Sequence, residues 1–146
     1  MAELKSVTYT AQEAAADNAG SYIATAELIS GKSSFLQCHW LVPAGTANLD
    51  TVLLGYLPSG MTLVPGLSTI TIDTAAGANT IDIGISGTTD NIADEQDVNT
   101  IGTSFINTTG VGSVSASART AIVATLNGTV TAASNIWFNF TLVNSN

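Results

Sequence analysis

The sequence predicts an all-β fold: a single-domain β-sandwich, jelly-roll-like, of about eight strands, with a loose N-terminal arm. Three observations predict it. Apolar residues recur with a period of two, most clearly at Ile81, Ile83 and Ile85, the signature of a strand with one buried face. Short stretches of Gly, Asn, Ser and Thr separate the apolar runs, as frequent turns do in a sandwich or jelly roll. The chain's 146 residues suit one domain, long enough to bury a core without a disulfide or a metal.

Taken in chain order, residues 1–19 read as an arm or short helix and residues 20–146 as the sandwich. Ala11 to Asp17, AQEAAAD, has helix-forming composition but is too short to be a stable helix alone, and Gly20 breaks it. Tyr22 to Ile29 and Phe35 to Val42 read as two strands joined by the turn Ser30-Gly31-Lys32-Ser33. Val52 to Leu57 and Met61 to Val64 are apolar runs on either side of Pro58-Ser59-Gly60. There Pro58 fixes φ and Gly60 supplies conformational freedom, so the chain reverses and both runs enter the core.

Ser68 to Thr74 places Ile70 and Ile72 inside, with Thr69, Thr71 and Asp73 outside. Thr80 to Ser86 repeats the pattern, with Asp82 and Gly84 on the wet face. The small residues Ala75 to Asn79 between them are expected to form a hairpin loop. Gly87 to Gly112, rich in Thr, Asn, Asp and Gly, reads as a long loop with one short strand near Ser104-Phe105-Ile106. Thr120 to Leu126 and Ile136 to Val143 read as a final pair of strands, with Asn127-Gly128 as a strong turn signal.

Charge excludes several functions. There are 3 Lys and Arg against 11 Asp and Glu, a net charge of −8, and only 10% of residues are charged. Nucleic-acid binding draws its affinity from clustered cations, and Lys5, Lys32 and Arg119 are few and scattered; no nucleic-acid partner is expected. An anionic membrane is disfavoured for the same reason. No apolar run approaches the roughly 20 residues that span a bilayer, so no membrane partner is expected either. The first residues, Met1-Ala2-Glu3-Leu4-Lys5, do not read as a secretory signal. Cys38 is the only cysteine, which fits a reducing compartment or a particle assembled in one.

No catalytic constellation is visible, and no enzyme activity, cofactor or metal is expected. Cys38 and His39 are neighbours on a strand and so face opposite sides; they read as a packed thiol and a surface or hydrogen-bonded imidazole. Asp90, Asp94, Glu95 and Asp97 concentrate acid, but their spacing does not match a calcium loop, and a solvated acidic loop is the better reading. The Asn-x-Thr triplets at Asn107, Asn127 and Asn139 are the chance matches of a chain rich in Asn and Thr.

One feature does point to a partner surface. If Ile136, Phe138, Phe140 and Leu142 face the core, then Trp137 and Val143 lie on the opposite face. An exposed Trp is a typical interface anchor, and it is equally suited to stacking on a sugar ring. Trp137, Val143 and, in the arm, Tyr9 are the candidate interface residues. The low charge density, with Thr, Ser and Ala in its place, also suits a surface docked against copies of itself or another shell.

The order of features in VLLGYLPSGMTLVPGLSTITIDTAAGANTIDIGI, residues 52–85, carries a resemblance. An apolar strand leads into Leu57-Pro58-Ser59-Gly60, then a second apolar strand, a Gly-containing loop, and an Ile-rich strand closing near Gly84, followed by the acid-rich stretch Thr89 to Asp97. This resembles structural proteins of tailed-bacteriophage particles, the capsid decoration (cement) and head-fibre-like proteins. Leu49 to Asp97 carries the likeness. At the closing strand that family often ends in Tyr-Val, where this chain has Thr141-Leu142-Val143. The resemblance implies a compact β-sandwich, often a homotrimer, on the capsid surface of a virion assembled in the host cytoplasm. It would clamp neighbouring subunits of the major capsid protein, with Met1 to Asn18 ordering on docking. The alternative is a carbohydrate- or receptor-binding module of a phage tail or head fibre.

Overall fold

The computed structural model describes residues 3–5, 34–77, 79–106 and 111–145. Its strands are β1 (Glu3–Lys5), β2 (Ser34–Val42), β3 (Thr51–Leu57), β4 (Met61–Leu63), β5 (Thr69–Ile72), β6 (Thr80–Ile85), β7 (Thr88–Asp97), β8 (Gly102–Phe105), β9 (Val114–Ser115), β10 (Thr120–Asn127) and β11 (Ser134–Asn144). A single 3-10 turn, Pro65–Leu67, separates β4 from β5. The strands form two sheets. One has five strands in the order β1-β3-β10-β6-β7; the other has six, in the order β8-β5-β11-β4-β9 with β2 on the far side of β11.

This is a jelly roll. Its two four-stranded layers are β3-β10-β6-β7 and β2-β11-(β4, β5)-(β8, β9). Two of the eight positions hold strands broken in two, and β1 is added at the edge beside β3, parallel to it from Glu3↔Thr51 to Lys5↔Leu53. About eight strands were expected, and the sandwich class is as expected. Glu3–Lys5 falls within the predicted arm. The remaining expectations for residues 6–33, including Tyr9 and the strand at 22–29, lie outside the described residues.

The wrapping explains three differences from the sequence reading. In a jelly roll, successive strands mostly cross from one sheet to the other. Ala75 to Asn79 therefore links β5 in one sheet to β6 in the other and is not a hairpin loop. Likewise β10 and β11 do not pair: β10 lies between β3 and β6, whereas β11 lies between β2 and β4/β5. Pro58-Ser59-Gly60 carries the chain between sheets as well, with Gly60 at φ +77, in the region that favours glycine.

The third difference is that the predicted acidic loop is strand β7, joined to β6 by a tight turn at Ser86-Gly87. This pairing requires Gly84. A Cβ at that position would lie 2.0 Å from the Thr88 carbonyl oxygen, so Gly84 is buried against β7 and does not sit on a wet face.

The core lies between the sheets. Ile136, Phe138, Phe140 and Leu142 of β11 point inward and are fully or almost fully buried, against Leu54 and Leu57 of β3, Ile81 and Ile83 of β6 and Ile122 and Leu126 of β10. Each such side chain contributes roughly 1.5–3 kcal/mol on burial. The 3-10 turn is pinned to β11 through Ser68. The Ser68 hydroxyl donates to the Val64 carbonyl (2.8 Å) and accepts from the Thr141 backbone N–H (2.9 Å). Thr141 Oγ1 donates to the Leu67 carbonyl (2.7 Å). The break between β4 and β5 thus leaves no orphan amide at Thr141.

Candidate interface on the six-stranded sheet

Strand alternation sets what the outer side of the six-stranded sheet displays. On β2, Cys38, Trp40 and Val42 are buried, while Phe35, Gln37, His39 and Leu41 face out. On β11 the outward set begins Asn135, Trp137, Asn139. The antiparallel register puts His39 opposite Trp137 on one side, and Thr71 of β5 opposite it on the other. Cys38 and His39 therefore face opposite sides, as expected.

His39 and Trp137 are stacked, with ring centroids 4.9 Å apart and planes 5° from parallel. That separation is the spacing between neighbouring strands, so the two rings stand side by side on their strands rather than lying flat. One face of the indole is covered by the imidazole. His39 Nε2 is 3.1 Å from Asn135 Oδ1. The amide nitrogen of Asn135 donates to Asp73 Oδ2 and its backbone N–H to Asp73 Oδ1, both at 2.7 Å. With the Asn135 amide oriented by Asp73, its oxygen is the acceptor and His39 Nε2 the donor. The Asn135 backbone N–H, with help from its side chain, holds the Asp73 carboxyl below the usual carboxylate range.

The predicted interface residues are only partly brought together. Trp137 and Val143 share the outer phase of β11 and both are half-buried. Between them, however, Thr141 is capped by the 3-10 turn. Val143 sits opposite Thr62, whose hydroxyl is hydrogen-bonded to those of Ser115 (2.6 Å) and Ser145 (2.8 Å). Tyr9 is outside the described residues.

The sequence reading missed Phe35, Leu41, Leu67 and Phe105, all exposed large apolar side chains of this sheet or its 3-10 turn. On β2 the signal was masked because both phases of SFLQCHWLV contain apolar residues. The rest of the face is mostly hydroxyl and amide, including a Thr71–Thr103 hydroxyl pair at 2.8 Å, with the Asp73 carboxylate at its rim.

Asp73 apart, the acidic residues of the strands lie on the other sheet. Asp82 is on β6, and Asp90, Asp94, Glu95 and Asp97 are on β7, at the edge of the other sheet. Two of these have structural tasks. Asp82 Oδ1 accepts from the Glu95 N–H (3.0 Å) and from Asn127 Nδ2 (2.7 Å), which pins a bulge where Glu95 has φ +50. The Asp97 carboxylate accepts from the Thr100 hydroxyl and from the backbone N–H groups of Asn99 (2.9 Å) and Thr100 (3.2 Å). These bonds, the Thr100 hydroxyl above all, hold its carboxyl below the usual range. Asp90, Asn91 and Asp94 border an open depression of about 280 Å³ with Val111 and Gly112. Among the described residues no three His, Cys, Asp or Glu side chains gather as a metal-holding group. No helix among the described residues is long and apolar enough to cross a membrane. Arg119 lies over the Tyr56 ring, 3.6 Å from its centroid, on the outer side of the five-stranded sheet.

Solved structures give the comparison. The chain superposes on a chain in the capsid of Ralstonia phage GP4 with a TM-score of 0.65 and 16% identity, over 99% of both chains. The fold resembles that of phage-capsid chains. A chain in the capsid asymmetric unit of cyanophage Pam1 matches with a TM-score of 0.61 and 14% identity, over 79% of this chain and 87% of the other. A chain in the acid-stable capsid of Helicobacter pylori bacteriophage KHP30 matches at 0.50 and 15%, over 77% and 88%. At these identities the likeness is one of fold. No family model and no curated protein matches the chain.

Proposed function

We propose that this chain is a non-enzymatic structural protein of a phage virion that decorates the capsid and stabilises it by docking across neighbouring coat subunits. The observation that carries this reading is the jelly-roll fold shared with a phage-capsid chain over 99% of both chains. A particle-surface position also suits a molecule with one sheet whose strands carry no Asp, Glu, Lys or Arg and with five acids grouped on β6 and β7 of the other. The mechanism is multivalent. A symmetric oligomer, a homotrimer in the family the sequence resembles, adds several weak contacts to the major capsid protein into one tight attachment. Edges, loops and the N-terminal segment supply those contacts. The carbohydrate-binding alternative is the weaker one, because His39 occupies one face of the Trp137 indole and the ring stands edge-on.

The test uses particles of the parent phage from which this gene has been deleted. Purified protein should co-sediment with them in a fixed ratio to the coat protein and raise the temperature at which they release DNA. Protein that stays in the supernatant, or binds without changing DNA release, overturns the proposal.

A further inference from the structure

The six-stranded sheet contains no Asp, Glu, Lys or Arg in any of its strands, β2, β4, β5, β8, β9 and β11. The 3-10 turn Pro65–Leu67 has none either. In a chain of net charge −8, that is a segregation of charge. Five acids lie on β6 and β7 of the opposite sheet. Of the large apolar side chains left in solvent among the described residues, Leu49 and Ile101 lie outside the strands and the rest fall on this side. Phe35 is 71% exposed, Phe105 68% and Leu41 60%, all on the charge-free sheet, and Leu67 borders it.

We infer that the outer face of the six-stranded sheet is the surface through which copies of this chain meet, with the His39–Trp137 stack near its centre. This rests on the proposed role as a symmetric oligomer and names the face that makes the oligomer.

Three arguments select a second copy as the occupant. The first is charge. Copies carrying −8 repel wherever acid meets acid, and the strands of this face carry none; Asp73, just past the end of β5, is a carboxylate at its rim, where it accepts from the backbone and side chain of Asn135. Two sandwiches packed through it place their acid-bearing sheets about three sheet spacings apart, roughly 30 Å. That is several times the Debye length of about 8 Å at physiological salt, so the cost of bringing two acidic chains together is screened away.

The second is self-complementarity. Asn and Thr side chains such as Asn139 and Thr69 both donate and accept, so the face can satisfy a copy of itself, whereas an acidic partner would find no Lys or Arg in its strands. The third is size. β2 runs nine residues, and four strand positions lie side by side, giving a footprint of roughly 600 Å² in flat projection at about 3.3 Å per residue and about 4.8 Å per strand. The accessible area of the side chains exceeds that projection and approaches the roughly 800 Å² per partner of a standard interface.

The test is light scattering and sedimentation of the full chain. Two copies meeting face to face through one self-complementary patch form a two-fold dimer, so the wild type should have a mass twice 14.8 kDa, and a trimer overturns the inference. Phe105→Lys and Phe35→Lys each place one charge on the face at a side chain that packs in no core, so the fold is retained, as thermal melts will verify for both. Each should weaken association about a hundredfold, while Asp94→Asn on β7 should leave it within twofold. A monomeric wild type overturns the inference. If Phe105→Lys also lowers the melting temperature of such a monomer, the face is assigned instead to the chain's own residues 6–33. An oligomer indifferent to both lysines but altered by Asp94→Asn overturns it too. The two proposals fail separately: a dimer that ignores gene-deleted particles leaves this face assigned and removes the decoration role, and a monomer that binds them does the reverse.

Discussion

The imidazole of His39 lies parallel to the indole of Trp137 across the β2–β11 pair, 4.9 Å between centroids. Cross-strand aromatic pairs contribute about 0.5–1.5 kcal/mol beyond their buried area. A double-mutant cycle of His39→Ala and Trp137→Ala should therefore show a coupling of about 1 kcal/mol in denaturant unfolding. Additive single effects would mean that the two rings contribute independently.

Gly84→Ala should be severely destabilising. The new methyl would meet the Thr88 carbonyl and the Thr89 backbone, and backbone on both sides cannot yield as a flexible side chain can. A loss of at least about 2 kcal/mol is expected. Hydrogen exchange should place the damage in the β6–β7 hairpin. A melting temperature within a degree of wild type would contradict the close approach.

Ser68→Ala removes the acceptor of the buried Thr141 N–H and the donor to Val64. Leaving a buried amide unsatisfied costs about 1–3 kcal/mol. Ser68→Thr keeps the hydroxyl and should recover part of the loss. Equal melting temperatures for Ser68→Ala and wild type would show that β11 does not depend on this anchor.

Acid should weaken the fold through Asp73 and Asp97. Both carboxyls have folded-state values below the ordinary one, because Asn135 in one case and Thr100 with Asn99 in the other donate to the charged form. Their contribution is complete above the unfolded value of about 3.9 and is lost as pH falls through the lowered folded values. Melting temperature should thus be flat above about pH 5 and drop below about pH 4. In Asp97→Asn the wild-type advantage seen at neutral pH should shrink as the pH is lowered. A gap independent of pH would remove Asp97 from the account.

The strands that read correctly from sequence are those with one strong phase. Ile81 and Ile83 on β6, and Ile136, Phe138, Phe140 and Leu142 on β11, all buried, alternate with polar or half-buried residues. β7 was hidden because its phase slips. Ile92 and Ala93 are consecutive buried residues and Gln96 is the next, an irregularity imposed by the bulge at Glu95 that no period of two describes. Its Asp and Asn content also mimics a loop. Partner choice was illegible for another reason: adjacency in sequence favours pairing β10 with β11, but the jelly-roll wrap sends them to different sheets. On the candidate face, Trp137 was legible from one phase of β11. Phe105 was not, since β8 is four residues of little pattern, GTSF.

β11 sits in the middle of the six-stranded sheet, hydrogen-bonded to β2 on one side and to β4 and β5 on the other. It also comes after all of them in the chain. A nascent polypeptide therefore leaves the ribosome with three strands that have no central neighbour until residue 144 has been made. The joining contacts close loops as long as the one between His39 and Asn135, 96 residues apart in the chain. Such loops are slow to close, so this half of the molecule assembles only after synthesis has passed it. Premature termination anywhere before β11 would release a chain with open, adhesive strand edges rather than a smaller folded protein.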